Sequence, residues 1–183
     1  MVLNQMKITE LQIPGCFLIE AAKFTDARGS FVKTYHQRIF EDNGIHMHFA
    51  EEFYSVSKKN VLRGMHFQLP PSAHNKLVYC LNGSVLDVFL DIRNDSPTFG
   101  KSLGLELSGE NGRTLFLPQG IAHGFLSLED ESVMVYKTST VHDPIKDCGI
   151  RWNSFNYSWP VSEPVISDRD TKHAVFSEFN SPF

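Results

Sequence analysis

Residues 60–83, NVLRGMHFQLPPSAHNKLVYCLNG, set the tightest limits on how this chain can fold. Apolar and polar positions alternate there with the two-residue period of a pleated strand, and the run ends on Asn82-Gly83. Alternation sends successive side chains to opposite faces, so the apolar face needs a second layer to cover it. The segment SVLDVFLDI (84–92) follows at once, and an Asn-Gly pair between two such runs predicts a hairpin. KSLGLELS and RTLFLP flank Gly109-Glu110-Asn111-Gly112 as a second predicted hairpin, and GFLSLEDESVMVYKTST makes a third around 129–131.

The rest of the chain reads the same way. Residues 1–15 are a lead-in strand ending at Pro14-Gly15, and 16–24 is a further strand. TDARG (25–29) is a turn, 30–36 a strand with two distinct faces, and 46–57 is extended. QRIFEDNG (37–44) is the one good short helix, stopped by Asn43-Gly44. The tail from Val141 carries Pro144, Pro160 and Pro164 among aromatics, and is expected to be loop-rich and folded back over the strands. About ten short strands joined by tight turns, with 15 Phe to fill a pleated core, predict an all-β antiparallel sandwich of the jelly-roll or cupin type. The 183 residues suffice for one domain spanning 1–183.

Bulk properties remove several function classes. A net charge of −4 leaves no broad polyanion-binding surface, so nucleic acid is not an expected partner and any anion site is a local cluster of Arg and Lys. No apolar run reaches signal-peptide or membrane-spanning length, which predicts a cytoplasmic protein with no membrane partner. Cys16, Cys80 and Cys148 are odd in number and far apart, and read as small apolar residues in a reducing compartment.

Two stretches carry chemistry. The first holds Arg63, His66, Gln68, His74 and Lys76, a base and cations on one strand pattern. The second, GRTLFLPQGIAHGF (112–125), has the spacing of the second cupin motif: Gly112, Pro118-x-Gly120, His123. In many cupins that His joins two others and a Glu on a metal. Here His66 is followed by Phe67 and Gln68 in place of a second His, and no carboxylate comes after it until Asp87, so the pattern predicts no metal.

VLRGMHFQ, KLVYCLNGSVLDVFLDIRNDSPTFGK, LPQGIAHGF, VYKTST and WPVSEPVISDRD together resemble the dTDP-4-dehydrorhamnose 3,5-epimerase family, from about Gly29 to Asp170. The resemblance implies a cupin jelly roll, a homodimer, and cofactor-free chemistry on a nucleotide-diphospho-4-keto-6-deoxysugar. C–H bonds beside a ketone are acidic because the carbanion delocalises into an enolate. Epimerisation then needs a base, a positive group on the enolate oxygen, and an acid on the opposite face. Imidazole is the side chain best suited to the base, which points to His66. By resemblance His66 pairs with Asp170, Lys76 faces the keto oxygen, Tyr136 is the acid and His123 lines the sugar pocket. Arg28 and Arg63 match diphosphate-binding arginines, suited by their paired donors. Asp147 and Arg169 stand where the family has a substrate-contacting Glu and Lys, and Gln68 closes the RGxHxQ motif.

Three departures bear on substrate. Lys33 replaces a Glu and Glu51-Glu52-Phe53 replaces Gln-Asp-Asn at positions that contact the pyrimidine in the family. Lys33 and Glu51 are either base-contacting or a cross-strand ion pair, and the carrier is dTDP, CDP or another nucleotide. Val141-His142 replaces Tyr-Tyr, which leaves inversion at C3, at C5 or at both. A 3,4-ketoisomerase, a metal-dependent cupin and a non-catalytic sugar-binding cupin are the competing readings.

Overall fold

The computed structural model describes residues 6–183. Its strands in chain order are β1 (Met6–Glu10), β2 (Phe17–Ala21), β3 (Lys23–Asp26), β4 (Gly29–Val32), β5 (Glu51–Ser57), β6 (Leu62–Gln68), β7 (Lys76–Asn82), β8 (Ser84–Asp91), β9 (Ser102–Ser108), β10 (Arg113–Leu117), β11 (Ile121–Ser127), β12 (Ser132–Thr138) and β13 (Asp147–Gly149). Two short helices, α1 (Gln37–Asp42) and α2 (Asp168–Thr171), and a 3₁₀ turn at Phe176–Glu178 complete the described chain. The expected lead-in strand is present as β1, and its first five positions lie outside the described residues. The strand expected at 30–36 stops at Val32, and 33–36 is irregular.

Residues 51–138 form one antiparallel ribbon folded back on itself. β8 pairs with β9, β7 with β10, β6 with β11, and β5 with β12, in nested order about loop 92–101. The ribbon is then rolled, so the pairs alternate between two sheets of order β1-β2-β10-β7-β12-β5 and β13-β6-β11-β8-β9. This is the jelly roll, all-β and antiparallel as expected. The three predicted hairpins are corrected by it. Each tight turn reverses the chain, but β7 and β8, β9 and β10, and β11 and β12 lie in different sheets. Each turn is a corner that carries the chain across the sandwich. Gly83, at φ +71, serves one such corner, where an added Cβ would lie 2.6 Å from Ser132 Oγ.

The true tip of the ribbon is built by a carboxylate. Buried Asp91 accepts from the Arg93 backbone N–H and guanidinium and from the hydroxyls of Ser96 and Thr98, at 2.6–3.1 Å. The DIRNDSPTFG segment is therefore a loop-forming motif in this structure.

Alternation sorts the core as the pleat requires. Val78, Cys80, Val85, Phe89, Leu115, Phe125 and Met134 point between the sheets. Met65, Phe67, Val88 and Leu90 point outward, under Phe155, Tyr157, Trp159, Phe176, Phe179 and Phe183 of the tail. The tail does fold back, as predicted. Phe40 of α1 and Ile45 cover Ile19, Leu77 and Phe116 on the outside of the other sheet. Cys16 and Cys80 are buried, Cys148 is partly exposed, and all three are free thiols. No helix among the described residues is long and apolar enough to cross a membrane.

Candidate active site

One end of the sandwich interior is filled by polar side chains instead of apolar ones, and encloses a cavity of about 280 Å³. β6 and β11 supply one wall and β5, β7 and β12 the other. His66 on β6 stands directly opposite His123 on β11. Tyr136 on β12 faces them from the other sheet, with its ring 6.2 Å from that of His123. Arg63, Gln68, Lys76, Glu51, Asp147 and Arg169 also line the cavity.

His66 Nε2 lies 2.8 Å from Asp170 Oδ1. Asp170 is the third residue of α2, where its own N–H is capped by Ser167, and is only 4% exposed. Its second oxygen accepts the Gly64 N–H at 3.1 Å. Burial works to raise the Asp170 pKa, but contacts with His173, His66 and the Gly64 N–H outweigh it and hold the carboxyl well below the usual range. A carboxylate accepts from Nε2–H, so neutral His66 carries its lone pair on Nδ1. Burial lowers the His66 pKa, while Asp170 opposes it. The imidazole is therefore neutral at physiological pH.

Lys76 Nζ donates to the His66 carbonyl at 2.9 Å. Burial brings its pKa down to about 8, with Asp147 and Asp87 pulling the other way. Tyr136 stacks on Phe53 at 4.8 Å and 14°, and its hydroxyl lies 3.2 Å from Ser55 Oγ. Burial raises its pKa, so the phenol keeps its proton. His123 Nε2 lies 2.8 Å from Asp87 Oδ2, a second buried His–Asp pair. Burial raises the Asp87 pKa, countered by His123 and Lys76. Arg63 donates to Ser57 Oγ and Val56 O, and Arg169 pairs with Asp147 at 2.8 Å.

Gln68 lines the cavity but its amide is committed to the protein. Its Oε1 accepts the Asp143 N–H at 2.6 Å, which fixes the amide orientation. Its Nε2 then donates to Ser72 O at 2.7 Å and faces His74 Nδ1 at 3.1 Å. It pins two cavity loops together. Glu51 accepts the His142 N–H at 2.6 Å and stands opposite Thr138 in register; β5 pairs with β12 and β4 with β3, so Glu51 and Lys33 are not cross-strand neighbours.

Arg28 and Lys33 are not brought to this cavity. Arg28 sits in the β3–β4 turn, ion-paired with Asp26, with its side chain 89% exposed. Lys33 flanks a shallow depression beside Tyr35 and His36. Sequence reasoning named His74 and Phe53 without a role at the sugar, and missed Asp87 and Ser55. Asp87 had a signal: it shares the inward parity of Val85 and Phe89 on β8, where a charge needs a buried partner. The separate grouping of His66, Asp170 and His173 puts three possible ligand atoms within 4.8 Å of one another.

Known proteins share this sequence pattern and fold. The family model of dTDP-4-dehydrorhamnose 3,5-epimerase matches residues 10–178. A dTDP-4-dehydrorhamnose 3,5-epimerase of Shigella flexneri is 45% identical over 93% of this chain and 96% of its own. A dTDP-6-deoxy-D-glucose-3,5-epimerase from Legionella pneumophila, solved with dTDP-4-keto-L-rhamnose, superposes with a TM-score of 0.91 at 35% identity, covering 96% of this chain and 95% of that one. The Bacillus anthracis dTDP-4-dehydrorhamnose 3,5-epimerase, solved with TDP and PPi bound, gives 0.90 at 35% identity over 93% and 99%. The chain belongs to the dTDP-4-dehydrorhamnose 3,5-epimerase family.

Proposed function

We propose that this protein epimerises a nucleotide-diphospho-4-keto-6-deoxysugar at C3 and C5. One observation carries the reading: a neutral imidazole backed by a buried carboxylate on one sheet faces a protonated phenol on the other across a single cavity. His66 Nδ1 takes the proton from the carbon beside the ketone. Asp170 fixes the tautomer and stabilises the imidazolium that forms. Lys76, still largely protonated at pH 7, stabilises the enolate oxygen in a water-poor site. Tyr136 returns a proton from the opposite face, and the phenolate regains one from solvent. His123 with Asp87 shapes the sugar subsite. Arg63, with Arg169 and Asp147 at the rim, holds the diphosphate end. Gln68 acts by positioning the loops around His74 and His142.

The working assembly in this reading is a homodimer. Tyr54, Val56 and Leu81, 70%, 44% and 62% exposed, stand on the outer face of β5 and β7, and Phe31 of β4 is 52% exposed. A contiguous apolar face of this kind fits a protein partner. Arg28 and Lys33, remote from their own cavity, act on the nucleotide bound by the second copy. Free thiols throughout fit a reducing, cytoplasmic setting. The test is turnover of dTDP-4-keto-6-deoxyglucose in heavy water, read by NMR. Deuterium at both C3 and C5 with inversion at both supports the reading, and no incorporation at either overturns it. Val141-His142 beside the cavity favours a second reading, inversion at one carbon only. Deuterium at C3 alone or C5 alone identifies it. Calorimetric titration with dTDP, CDP, UDP and GDP identifies the carrier.

A further inference from the structure

Behind His66, on the side away from the reacting sugar, Asp170 Oδ1 is approached by two imidazoles. His66 Nε2 lies at 2.8 Å and His173 Nε2 at 3.4 Å. His173 Nε2 is buried and makes no hydrogen bond of good geometry among the described residues. Its ring has a built seat. It lies over Gly149, where an added Cβ would overlap the imidazole, and Gly149 is the register partner of His66 on the neighbouring strand. The backbone at His173 and the next residue is tied down: Arg151 N donates to Ala174 O at 2.9 Å, and Arg151 Nε to His173 O at 3.4 Å. The two rings meet edge to face, 5.6 Å apart.

We propose that His66, Asp170 and His173 form a binding site for Zn²⁺ or a similar borderline first-row divalent cation, and that its occupancy switches the epimerase off. Two neutral imidazole nitrogens and one carboxylate oxygen make a three-ligand set suited to Zn²⁺, with water as the fourth ligand. Zinc bonds of about 2.1 Å at tetrahedral angles hold neighbouring ligand atoms about 3.4 Å apart. His173 Nε2, at 3.4 Å from Asp170 Oδ1, already stands at that spacing, and His66 Nε2, at 2.8 Å, must move outward to admit the ion.

The switch follows from the tautomer. Without metal, the His66 ring proton sits on Nε2 and the lone pair on Nδ1. A cation on Nε2 displaces that proton, and the neutral ring carries it on Nδ1 instead. No proton is gained or lost by the ring, but the lone pair that would attack the substrate is gone. Inhibition therefore needs no group to enter the sugar subsite.

The site stands on geometry alone, whereas inhibition rests on the reading of His66 as base, so the two are measured separately. Zinc binding is titrated against a chromophoric chelator, without substrate, on the full chain and on the H173A and H173Q variants. The expected result is one zinc per chain, with affinity falling at least about tenfold in both variants. Turnover is then measured against free zinc, each protein relative to its own rate in excess chelator. The unaltered protein loses activity as the site fills and regains it with chelator, and both variants need at least about tenfold more zinc. Zinc binding equal in all three proteins, as an exposed surface pair such as His46 and His48 would give, overturns the site. Zinc bound at His173 with turnover unchanged overturns the switch.

Discussion

At the residue scale the site is a set of charge states fixed by burial. His66 and Lys76 are both pushed toward neutrality by desolvation, but only His66 reaches it at pH 7. The rate should therefore fall on the alkaline side with an apparent pKa of about 8, as Lys76 loses the proton that stabilises the enolate. On the acid side it should hold to below the ordinary imidazole value, because His66 protonates late. A pH profile of kcat/KM checks both limbs, and K76R should remove the alkaline one at a lower plateau rate. D170N should cut kcat by roughly 10²–10⁴-fold with little change in nucleotide affinity, since the amide can favour the wrong tautomer. His74 makes a stability prediction. Burial first, then Lys76, His142 and His123, take its pKa down to about 3. The unfolded chain binds that proton near pH 6.5 and the folded one does not, so stability is lost as pH falls below 6.5. Between pH 7.5 and 5 this amounts to about 2 kcal/mol, which H74Q should abolish in urea unfolding. His123 was legible from cupin-motif spacing and His66 from the chemistry of an imidazole, whereas Lys76 gained its role only through resemblance. Asp170 lies 104 residues from His66 and was reachable only through resemblance. Asp87 was hidden because its partner sits on a strand that pairs from afar.

At the element scale, strand existence was legible and strand pairing was not. Asn82-Gly83 announces a reversal, and the reversal is there. The turn does not specify whether the returning strand joins its predecessor or crosses to the facing sheet. That choice is made by the apolar faces of the whole ribbon, which close a core only when successive pairs alternate. β6 and β11 approach closely at two glycines, where a Cβ on Gly64 (φ +144) would lie 2.5 Å from Gly124 Cα. Gly64 also supplies the N–H that Asp170 accepts. Gly64→Ala should destabilise by about 2 kcal/mol or more and lower kcat through the displaced dyad. Gly44→Ala, after α1, meets nothing within 4 Å and should cost about 1 kcal/mol from its φ of +77 alone. Paired urea melts of the two variants check the contrast.

At the scale of the whole molecule, rolling the ribbon is what makes the site. It sets His66 on one sheet and Tyr136 on the other, over a shared cavity that neither sheet forms alone. In the homodimer proposed above, the outer face bearing Tyr54 and Leu81 would link that site to assembly. L81E should shift the protein from dimer to monomer in sedimentation, and should weaken nucleotide binding as much as R28A does, because both remove the same guanidinium from the partner's cavity. The two-walled site itself is tested most directly by Y136F in heavy water with dTDP-4-keto-6-deoxyglucose, alongside H66A. With the phenol gone, His66 can only return a proton to the face it took it from. Y136F should therefore exchange sugar hydrogens for deuterium without inverting them, and H66A should do neither. Inversion by Y136F at the unaltered rate, or exchange by H66A, would contradict the account.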